Sequence, residues 1–396
     1  MNVSLEVEYW VVDDDGDLVP PDTLLDVSEQ VDQEFVEPMI ELKTTPCAST
    51  AALRTEFRSL LETVVDAASD HDRHLVPLAT PLTTDPRAVT CRDKRATDLQ
   101  QQIVGPTFDD ARVCAGTHIH VEQADDESAV ADQLNALTAI DPAFALVTSS
   151  SHYRGEPLVE CARPYLYRRS CYGACPEQGQ LWPYVDSVDE WEARLECSYV
   201  NFRERALERG VDPDEFDETF DPYEAVWTPV RLRKAMPTVE WRSPDVALPS
   251  QLFDLVEAVA DIAERAATQG TVVDGDSRAT RETAFVHDED AIGDVRPASS
   301  AAQRGRPGRP GGDETEPVGL PDFETVEATT DEAITDGLES RQVRRYLDEM
   351  GVTPSRFEPL VSRLPDTRLT DRRAKRYRLE AASWLEAEVS RHRARA

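Results

Sequence analysis

Charged side chains occupy alternating positions within short apolar segments of this chain. Four segments show the pattern, with the pairs Glu6 and Glu8, Glu37 and Glu41, His118 and His120, and Glu240 and Arg242. Because successive side chains of a strand point to opposite faces, each pair projects from one side of a sheet while apolar neighbours fill the other. Such a sheet has one apolar face and one charged face. A charged face is costly to bury unless it binds cations and an anionic ligand, so the pattern predicts a metal–nucleotide site.

The chain is strongly acidic. Its formal net charge is −35 over 396 residues, and only four of its 42 basic residues are lysines. Dense ions screen self-repulsion, so this composition favours a protein from a high-salt cytoplasm over an ordinary acidic protein. A nucleic-acid partner is disfavoured, because a phosphate backbone would meet mostly like charge.

Other features of the composition predict a soluble cytoplasmic protein. The seven cysteines are odd in number and include no Cys-x-x-Cys pair, which is typical of reduced thiols. No apolar run approaches the length of a membrane span, and the first residues lack the basic and apolar regions of a signal peptide.

Strand and helix patterns alternate without the regular spacing of βαβ units. Strands are predicted over 3–12, 35–43, 112–122 and 236–243. No Gly-x-Gly-x-x-Gly segment follows a strand, so the sequence favours an α+β fold with an antiparallel sheet and flanking helices.

Composition divides the chain into three regions. Residues 1–270 are predicted to form a catalytic domain. Residues 271–322 are polar, with an Arg-, Gly- and Pro-rich run that cannot bury a core, and are predicted to be a disordered linker. Residues 323–396 regain helical periodicity and are predicted to be an acidic helical tail, ending in a charged helix over 370–392.

The charged face would suit two or three hard divalent cations such as Mg²⁺, which prefer carboxylate oxygens and bridge to phosphates. The candidate metal ligands are Glu6, Glu8, Glu37, Glu41, His118, His120 and Glu240. We expect one of the two histidines to be a ligand. Cys114 raises zinc as an alternative, but a catalytic zinc site usually has few carboxylates, so Mg²⁺ is favoured.

Basic residues cluster where anions would need binding. They are Arg163, Arg168 and Arg169 in an irregular stretch, Arg231, Arg233 and Lys234 before the last predicted strand, and Arg242 on that strand. Guanidinium groups bind phosphate and carboxylate through paired hydrogen bonds. Ordinary ion pairing is the alternative, above all for Arg168 and Arg233. The chain has no P-loop segment, so phosphates would be held by metals and arginines.

In combination, these segments resemble the carboxylate–amine ligase branch of the glutamate–cysteine ligase superfamily, over roughly residues 3–266. The order and spacing of five motifs are similar to those of the family. They are Leu5-Glu6-Val7-Glu8, Glu37-Pro38-Met39-Ile40-Glu41-Leu42-Lys43-Thr44, Gly116-Thr117-His118-Ile119-His120-Val121, Ala162-Arg163-Pro164, and Thr238-Val239-Glu240-Trp241-Arg242-Ser243-Pro244-Asp245 with Arg231 preceding it. The resemblance implies a catalytic fold like that of glutamine synthetase.

The resemblance also implies a role for each residue. Glu6, Glu8, Glu41, Glu240 and one of the histidines would hold Mg²⁺, or Mn²⁺, around ATP, with Glu37 as a further candidate. Arg231 and Arg242, with Lys234, would bind the nucleotide. Arg163 and Arg242 are the candidate catalytic residues, Arg163 contacting a phosphate or the acceptor's carboxylate. A homodimer is in keeping with the resemblance.

The implied reaction is an ATP-dependent ligation in which the γ-carboxylate of glutamate is activated as an acyl phosphate and attacked by an amine. With cysteine as the amine, the product would be γ-glutamylcysteine, made in a halophile. Two alternatives rank below it. One is a metal-dependent hydrolase that activates water with His118, His120 and the glutamates, and the other is a non-catalytic paralog that binds nucleotide, and partners through 323–396.

Overall fold

The computed structural model describes residues 1–92, 94–176, 178–274 and 316–393. The strands are β1 (Val3–Asp13), β2 (Val31–Gln33), β3 (Met39–Lys43), β4 (Arg73–Val76), β5 (Thr117–Glu122), β6 (His152–Tyr153), β7 (Glu156–Pro157), β8 (Val230–Arg233), β9 (Thr238–Trp241), β10 (Thr271–Val273) and β11 (Val318–Leu320). The α-helices are α1 (Thr50–Asp70), α2 (Arg95–Val104), α3 (Glu127–Ala139), α4 (Ala162–Tyr165), α5 (Val188–Glu208), α6 (Pro213–Thr219), α7 (Pro222–Ala225), α8 (Pro249–Gln269), α9 (Phe323–Asp336), α10 (Arg341–Glu349) and α11 (Asp371–Arg393).

A seven-stranded antiparallel sheet organises the molecule. Its order is β2-β3-β1-β5-β9-β8, and β4 pairs with the far end of β1. The long strand β1 is rich in β-branched and aromatic residues, which favour extended backbone, and it pairs with three neighbours. The predicted α+β fold with an antiparallel sheet is therefore confirmed.

Helices pack beside this sheet and close the core. Ser49 caps α1 by accepting a hydrogen bond from the backbone N–H of Ala52, and Leu53, Phe57 and Leu61 of that helix are fully buried. Helices α1, α3 and α8 contact strands of the sheet, and α8 contacts both α1 and α3. Within the described ranges, no helix is both long and apolar enough to span a membrane.

Two predicted strands begin later than expected. The strand predicted over 35–43 begins at Met39, and the strand predicted over 112–122 begins at Thr117. In both cases the preceding residues pair elsewhere or form a short helical turn, as at Pro106–Val113. Contacts with residues distant in the chain determine where each strand begins, since an apolar pattern in the sequence does not mark where backbone pairing ends.

The predicted linker over 271–322 falls mostly on residues 275–315, outside the described part of the chain. Its two described ends are strands, because β10 pairs in parallel with β11. Strands β10 and β11 span three residues each, which leaves no readable periodicity in the sequence, and the division of the chain at residues 270 and 322 stays a prediction.

The C-terminal helices pack into the same core as the sheet. Val326 of α9, Leu347 of α10 and Leu385 of α11 are buried in it. Tyr346 Oη donates a hydrogen bond to the carbonyl of Ala139 over 2.6 Å. The charged helix predicted over 370–392 corresponds to α11, which contacts β4 and α1.

Candidate active site

Strand register brings the charged pairs together on one face of the sheet. Glu8 lies opposite Glu41, Glu6 opposite His118, and His120 opposite Glu240. Directly opposed residues on antiparallel strands share a face. Three strand pairings therefore bring together, on one face, residues that are up to about 230 positions apart in the chain.

The opposite face carries the apolar residues that alternate with them. Leu5 lies opposite Ile119, Val7 opposite Leu42, and Val121 opposite Val239, and all six side chains are fully buried. The sheet therefore has one apolar and one charged face at this point.

The charged face forms the floor of a cavity of about 620 Å³. Its acidic wall consists of Glu6, Glu8, Glu34 and Glu41, and its basic residues are Lys43, Arg231, Arg233, Lys234 and Arg242. A cavity that presents both carboxylates and cations suits a ligand that combines bound metal ions with anionic groups.

Aromatic rings form another part of the cavity wall. The ring of Tyr167 stacks on Trp227 with a centroid distance of 4.8 Å, and Tyr172 lies 6.1 Å from Trp227. The guanidinium of Arg242 lies 5.6 Å from the centre of the Trp227 ring, and the ammonium of Lys234 lies 5.4 Å from that of Tyr223. These cation–π contacts hold the two basic groups beside the cavity.

Among the residues that the structure describes, three clusters of side chains offer metal ligands. In each cluster, one ligand atom from every residue lies within 4.8 Å of the others. The clusters are Glu6, Glu41 and His118; Glu6, His120 and Glu240; and Glu8, Glu34 and Glu41. Because Glu6 and Glu41 each belong to two clusters, the three positions form one linked group.

His118 lies at the centre of this group. Its Nδ1 atom is 3.1 Å from Oε2 of Glu6, 3.6 Å from Oε1 of Glu240 and 4.0 Å from Oε1 of Glu41. Its Nε2 atom is 3.9 Å from Oε1 of Glu8. Four carboxylates thus direct an oxygen towards one imidazole.

Three of these carboxylates also have their second oxygen held by the protein. Oε2 of Glu8 accepts a hydrogen bond from the backbone N–H of Gly116, and Oε2 of Glu41 lies 2.8 Å from Nζ of Lys43. Oε2 of Glu240 accepts a hydrogen bond from Nε of Arg231 over 2.6 Å. Such outer contacts orient the remaining oxygens as ligands.

Burial and mutual repulsion raise the pKa values of three residues of the acidic wall, whereas burial of Glu6 is outweighed by hydrogen bonds from the two histidines, which lower its pKa. Burial, with the charges of Glu34 and Glu6, raises the pKa of Glu41 to about 8. Burial raises the pKa of Glu8 to about 7, and burial with the charge of Glu8 raises that of Glu34 to about 7. These carboxylates would be stabilised in their charged form by a bound cation.

The pKa of Glu240 is shifted in the opposite direction to those of Glu8, Glu34 and Glu41. Glu240 is completely buried, yet its pKa is held well below the ordinary range, because the charges of Arg231 and Arg242 outweigh the cost of burial. Nε of Arg242 lies 3.3 Å from Oε1, and Nη1 of Arg233 lies 3.6 Å from Oε2. Oε1 of Glu240 and Nε2 of His120 are both buried without a hydrogen-bond partner. Unsatisfied buried polar atoms of this kind fit a site that receives a cation.

The donor set as a whole fits a hard divalent cation. Carboxylate oxygens dominate every cluster, and two of the clusters contain one imidazole each, that of His118 in one and that of His120 in the other. This chemistry suits Mg²⁺ or Mn²⁺ better than zinc. Cys114 is buried and belongs to none of these clusters.

Arg163 does not line the cavity, although the sequence marked it as a candidate catalytic residue. It is buried beneath the site, where Nη1 donates hydrogen bonds to the carbonyls of Arg242 and Ser243 over 2.9 and 3.1 Å. Its guanidinium also packs against Gly116, where an added Cβ would lie 2.2 Å from Nη2. Arg163 therefore contacts the backbone of two site residues rather than the cavity.

Glu37 lies away from the acidic wall, whereas Glu34, which the sequence did not indicate, belongs to it. Glu37 lies before β3, outside the three clusters, with its backbone bonded to Thr90 and Arg92. Glu34 lies in the same connection and reaches the acidic wall. A strand over 35–43 would place Glu37 and Glu41, four residues apart, on the same face of the sheet. The strand begins only at Met39, so the alternation of side chains between the two faces does not extend to Glu37. No periodic signal marks Glu34.

Arg168 forms a buried ion pair away from the cavity, as the ion-pairing alternative anticipated. Nη1 and Nη2 donate to the two carboxylate oxygens of Asp141 over 2.7 and 3.0 Å, and Asp141 also accepts from Nε1 of Trp241. This network fixes the end of β9 next to Arg242.

Residues 3–355 match the sequence model of glutamate–cysteine ligase family 2. The chain therefore belongs to this family, and the resemblance found in the sequence is confirmed.

Two curated relatives bear the name "Putative glutamate--cysteine ligase 2". The one from Jannaschia sp. (strain CCS1) is 26% identical over 253 residues, which is 62% of this chain and 61% of the relative. The one from Ruegeria pomeroyi is 28% identical over 257 residues, 62% of this chain and 60% of the relative. The match thus spans about three fifths of each curated relative.

Solved structures share the fold. A glutamate–cysteine ligase from Francisella tularensis in complex with AMP matches 98% of this chain and 88% of its own with a TM-score of 0.56 at 12% identity. A bifunctional glutathione synthetase from Pasteurella multocida matches 98% of this chain and 52% of its own with a TM-score of 0.52 at 15% identity. At these identities the likeness shows the fold alone.

Proposed function

We propose that the protein is an ATP- and Mg²⁺-dependent ligase that joins the γ-carboxylate of glutamate to an amine such as that of cysteine. The observation that carries the proposal is the convergence of carboxylate–histidine clusters and guanidiniums in one cavity. Membership of glutamate–cysteine ligase family 2 supports the ligase chemistry. The AMP bound by the Francisella neighbour is in keeping with a nucleotide substrate.

The proposed reaction has two steps. A γ-carboxylate oxygen attacks the terminal phosphorus of ATP, the bond to ADP breaks, and an acyl phosphate forms. The amine nitrogen then attacks the acyl carbon, the bond to phosphate breaks, and the amine proton passes to solvent. Mg²⁺, when bound, neutralises the triphosphate and carboxylate charges that would otherwise repel each other.

The residues around the cavity would bind the metal ions, the phosphates and the reacting groups. Glu6, Glu8, Glu34, Glu41, Glu240 and the imidazole of His118 or His120 would hold the cations. Arg231 and Arg242, with Arg233 and Lys234 at the rim, present donors to the phosphates, which suits the charge that develops during transfer. The stacked rings of Tyr167 and Trp227 limit access of water, which would hydrolyse an acyl phosphate.

The test is a substrate panel with ADP release as the readout. Purified protein in concentrated KCl receives ATP, Mg²⁺, glutamate and, in separate reactions, cysteine or other amines. We expect ADP release that requires both glutamate and an amine, and that stops when EDTA is added. Release that needs neither substrate would indicate a hydrolase, and nucleotide binding without turnover would indicate the non-catalytic paralog. Either result contradicts the ligase proposal.

The proposal extends to the protein's surroundings. The charge of −35 and the scarcity of lysine support a high-salt cytoplasm, so activity should rise as KCl increases from about 0.2 M to about 2 M, where self-repulsion is screened. An activity that falls over this KCl range would contradict the halophilic setting.

A homodimer is part of the same proposal, and light scattering at high salt measures the oligomeric state.

A further inference from the structure

Lys43 lines the cavity beside the metal clusters, although no sequence pattern marked it as functional. Its Nζ atom lies 2.8 Å from Oε2 of Glu41 and 3.0 Å from Oδ2 of Asp32. Asp32 lies opposite Glu41 on the neighbouring strand. The ammonium therefore neutralises a carboxylate that two of the three clusters share.

Lys43 differs from the cation that holds Glu240. The Arg231 side chain is 9% exposed, and its guanidinium bonds both to Glu240 and to the carbonyl of Tyr223. The Lys43 side chain is 37% exposed at the edge of the cavity, and its other contact, Asp32, is 56% exposed. A planar guanidinium fixed by the buried Glu240 and by a second, part-buried carbonyl stays in place, whereas an ammonium on a flexible four-carbon stem can move.

We propose that Lys43 is a displaceable counter-cation, which neutralises Glu41 while the clusters hold no metal and moves to an anionic phosphoryl group of the nucleotide when a divalent cation takes Glu41. This inference rests on the proposed function, because it requires the metal clusters and an anionic ligand in the same cavity.

Electrostatics favours this exchange over a fixed position. A divalent ion bound to Oε1 of Glu41 would stand within a few ångströms of the ammonium, and two positive charges at that distance repel strongly even in a partly solvated site. The basic side of the cavity already indicates where an anion would lie, and Lys43 borders the same space. Movement of the ammonium would remove the repulsion and add a contact to the ligand.

The test compares Lys43→Met with the wild-type protein in two titrations. In the first, Mg²⁺ alone is added without nucleotide, and thermal stability is recorded. We expect Lys43→Met to reach half-maximal stabilisation at a roughly tenfold lower Mg²⁺ concentration, because the competing charge is gone. In the second, a non-hydrolysable ATP analogue is titrated calorimetrically at saturating Mg²⁺. Here we expect Lys43→Met to bind about fivefold to tenfold more weakly.

Two variants serve as controls. Lys43→Arg keeps the charge and should stay near the wild type in the Mg²⁺ titration. Arg345→Met removes one positive charge from a side chain of α10 that is 81% exposed and does not line the cavity, and should leave both titrations within about twofold.

The outcomes separate this inference from the function on which it rests. A Mg²⁺ midpoint that is unchanged or higher in Lys43→Met overturns the counter-cation role. A lower midpoint with unchanged binding of the ATP analogue overturns the movement towards phosphate. If Mg²⁺ stabilises neither protein, the metal clusters of the proposed function fail together with it, whereas an inactive ligase with a shifted Mg²⁺ midpoint supports the role of Lys43 alone.

Discussion

One face of the central sheet packs Leu5, Val7 and Ile119 into the core, whereas the other presents Glu6, Glu8 and His118 to a cavity. The same strands build both faces, and both are largely buried. The apolar face is stabilised by the burial itself. The charged face concentrates carboxylates, and burial with mutual repulsion raises the pKa values of Glu8 and Glu41, which lowers stability until a ligand is present. The contrast teaches that the apolar face stabilises the fold, whereas the charged face is suited to binding a ligand and lowers the stability of the protein without one.

The largest effect is expected for a change on the charged face. Glu8→Gln and Glu41→Gln should each lower ligase activity by roughly 100-fold or more, because each removes a charged ligand oxygen. Without metal, their free energy of unfolding should equal or exceed that of the wild type, since one repulsive charge is gone. ADP release and urea unfolding in EDTA measure the two quantities. Glu37→Gln is the matched control and should keep activity within about threefold; a loss equal to that of Glu41→Gln would show that the sequence-based assignment of Glu37 was right.

The reverse result is expected on the apolar face. Leu5→Ala should lower the free energy of unfolding by about 2–5 kcal/mol, because it leaves a cavity in a fully buried core. The Mg²⁺ midpoint of the remaining folded protein should be unchanged. Urea unfolding and Mg²⁺ titration check both statements. A Leu5→Ala protein of normal stability but altered Mg²⁺ binding would break the division between the faces.

The layer beneath the charged face provides a third test. Gly116→Ala places a Cβ against the guanidinium of Arg163 and should cost about 1–3 kcal/mol, as overpacking does. Adding Arg163→Met to Gly116→Ala removes the clash, so the double variant should be no less stable than Arg163→Met alone. The measurement is a double-mutant cycle of thermal unfolding. Additive losses would mean that Gly116 is required for a reason other than its contact with Arg163.

The smallest effect is expected at the edge of the sheet. Burial opposes protonation of His74, but hydrogen bonds to Glu386 of α11 and to Asp14 raise its pKa above the usual 6.5. A raised pKa contributes stability that is present below pH 6.5 and is lost as the pH rises through the folded-state value. His74→Gln should therefore lose less than about 1 kcal/mol at pH 6 and nothing at pH 9, because the side chain is partly exposed. Unfolding measured at the two pH values checks this, and an equal loss at both would rule out a titrating contact.

Local patterns predicted much of this site. Alternation along Leu5–Glu8 and Thr117–Val121 identified which residues share a face, because the period of a strand is a property of its backbone. Alternation does not apply outside the sheet, so it indicates Glu37 but gives no signal for Glu34, which lines the cavity. Alternation also places Lys43 on the same face as Glu41, but nothing in the sequence indicates that Asp32 is its partner.

The sequence by itself determined the charged and apolar faces, the acidic composition and the family to which the chain belongs. Only the tertiary structure decided which strands are neighbours, that Arg163 lies beneath the cavity rather than in it, and that α9–α11 pack into the core of the sheet. The physical reason is the separation along the chain of the residues whose interactions fix each feature. Side-chain direction along a strand is fixed by adjacent peptide units, whereas the register that sets Glu6 beside His118 depends on contacts between residues more than 100 positions apart.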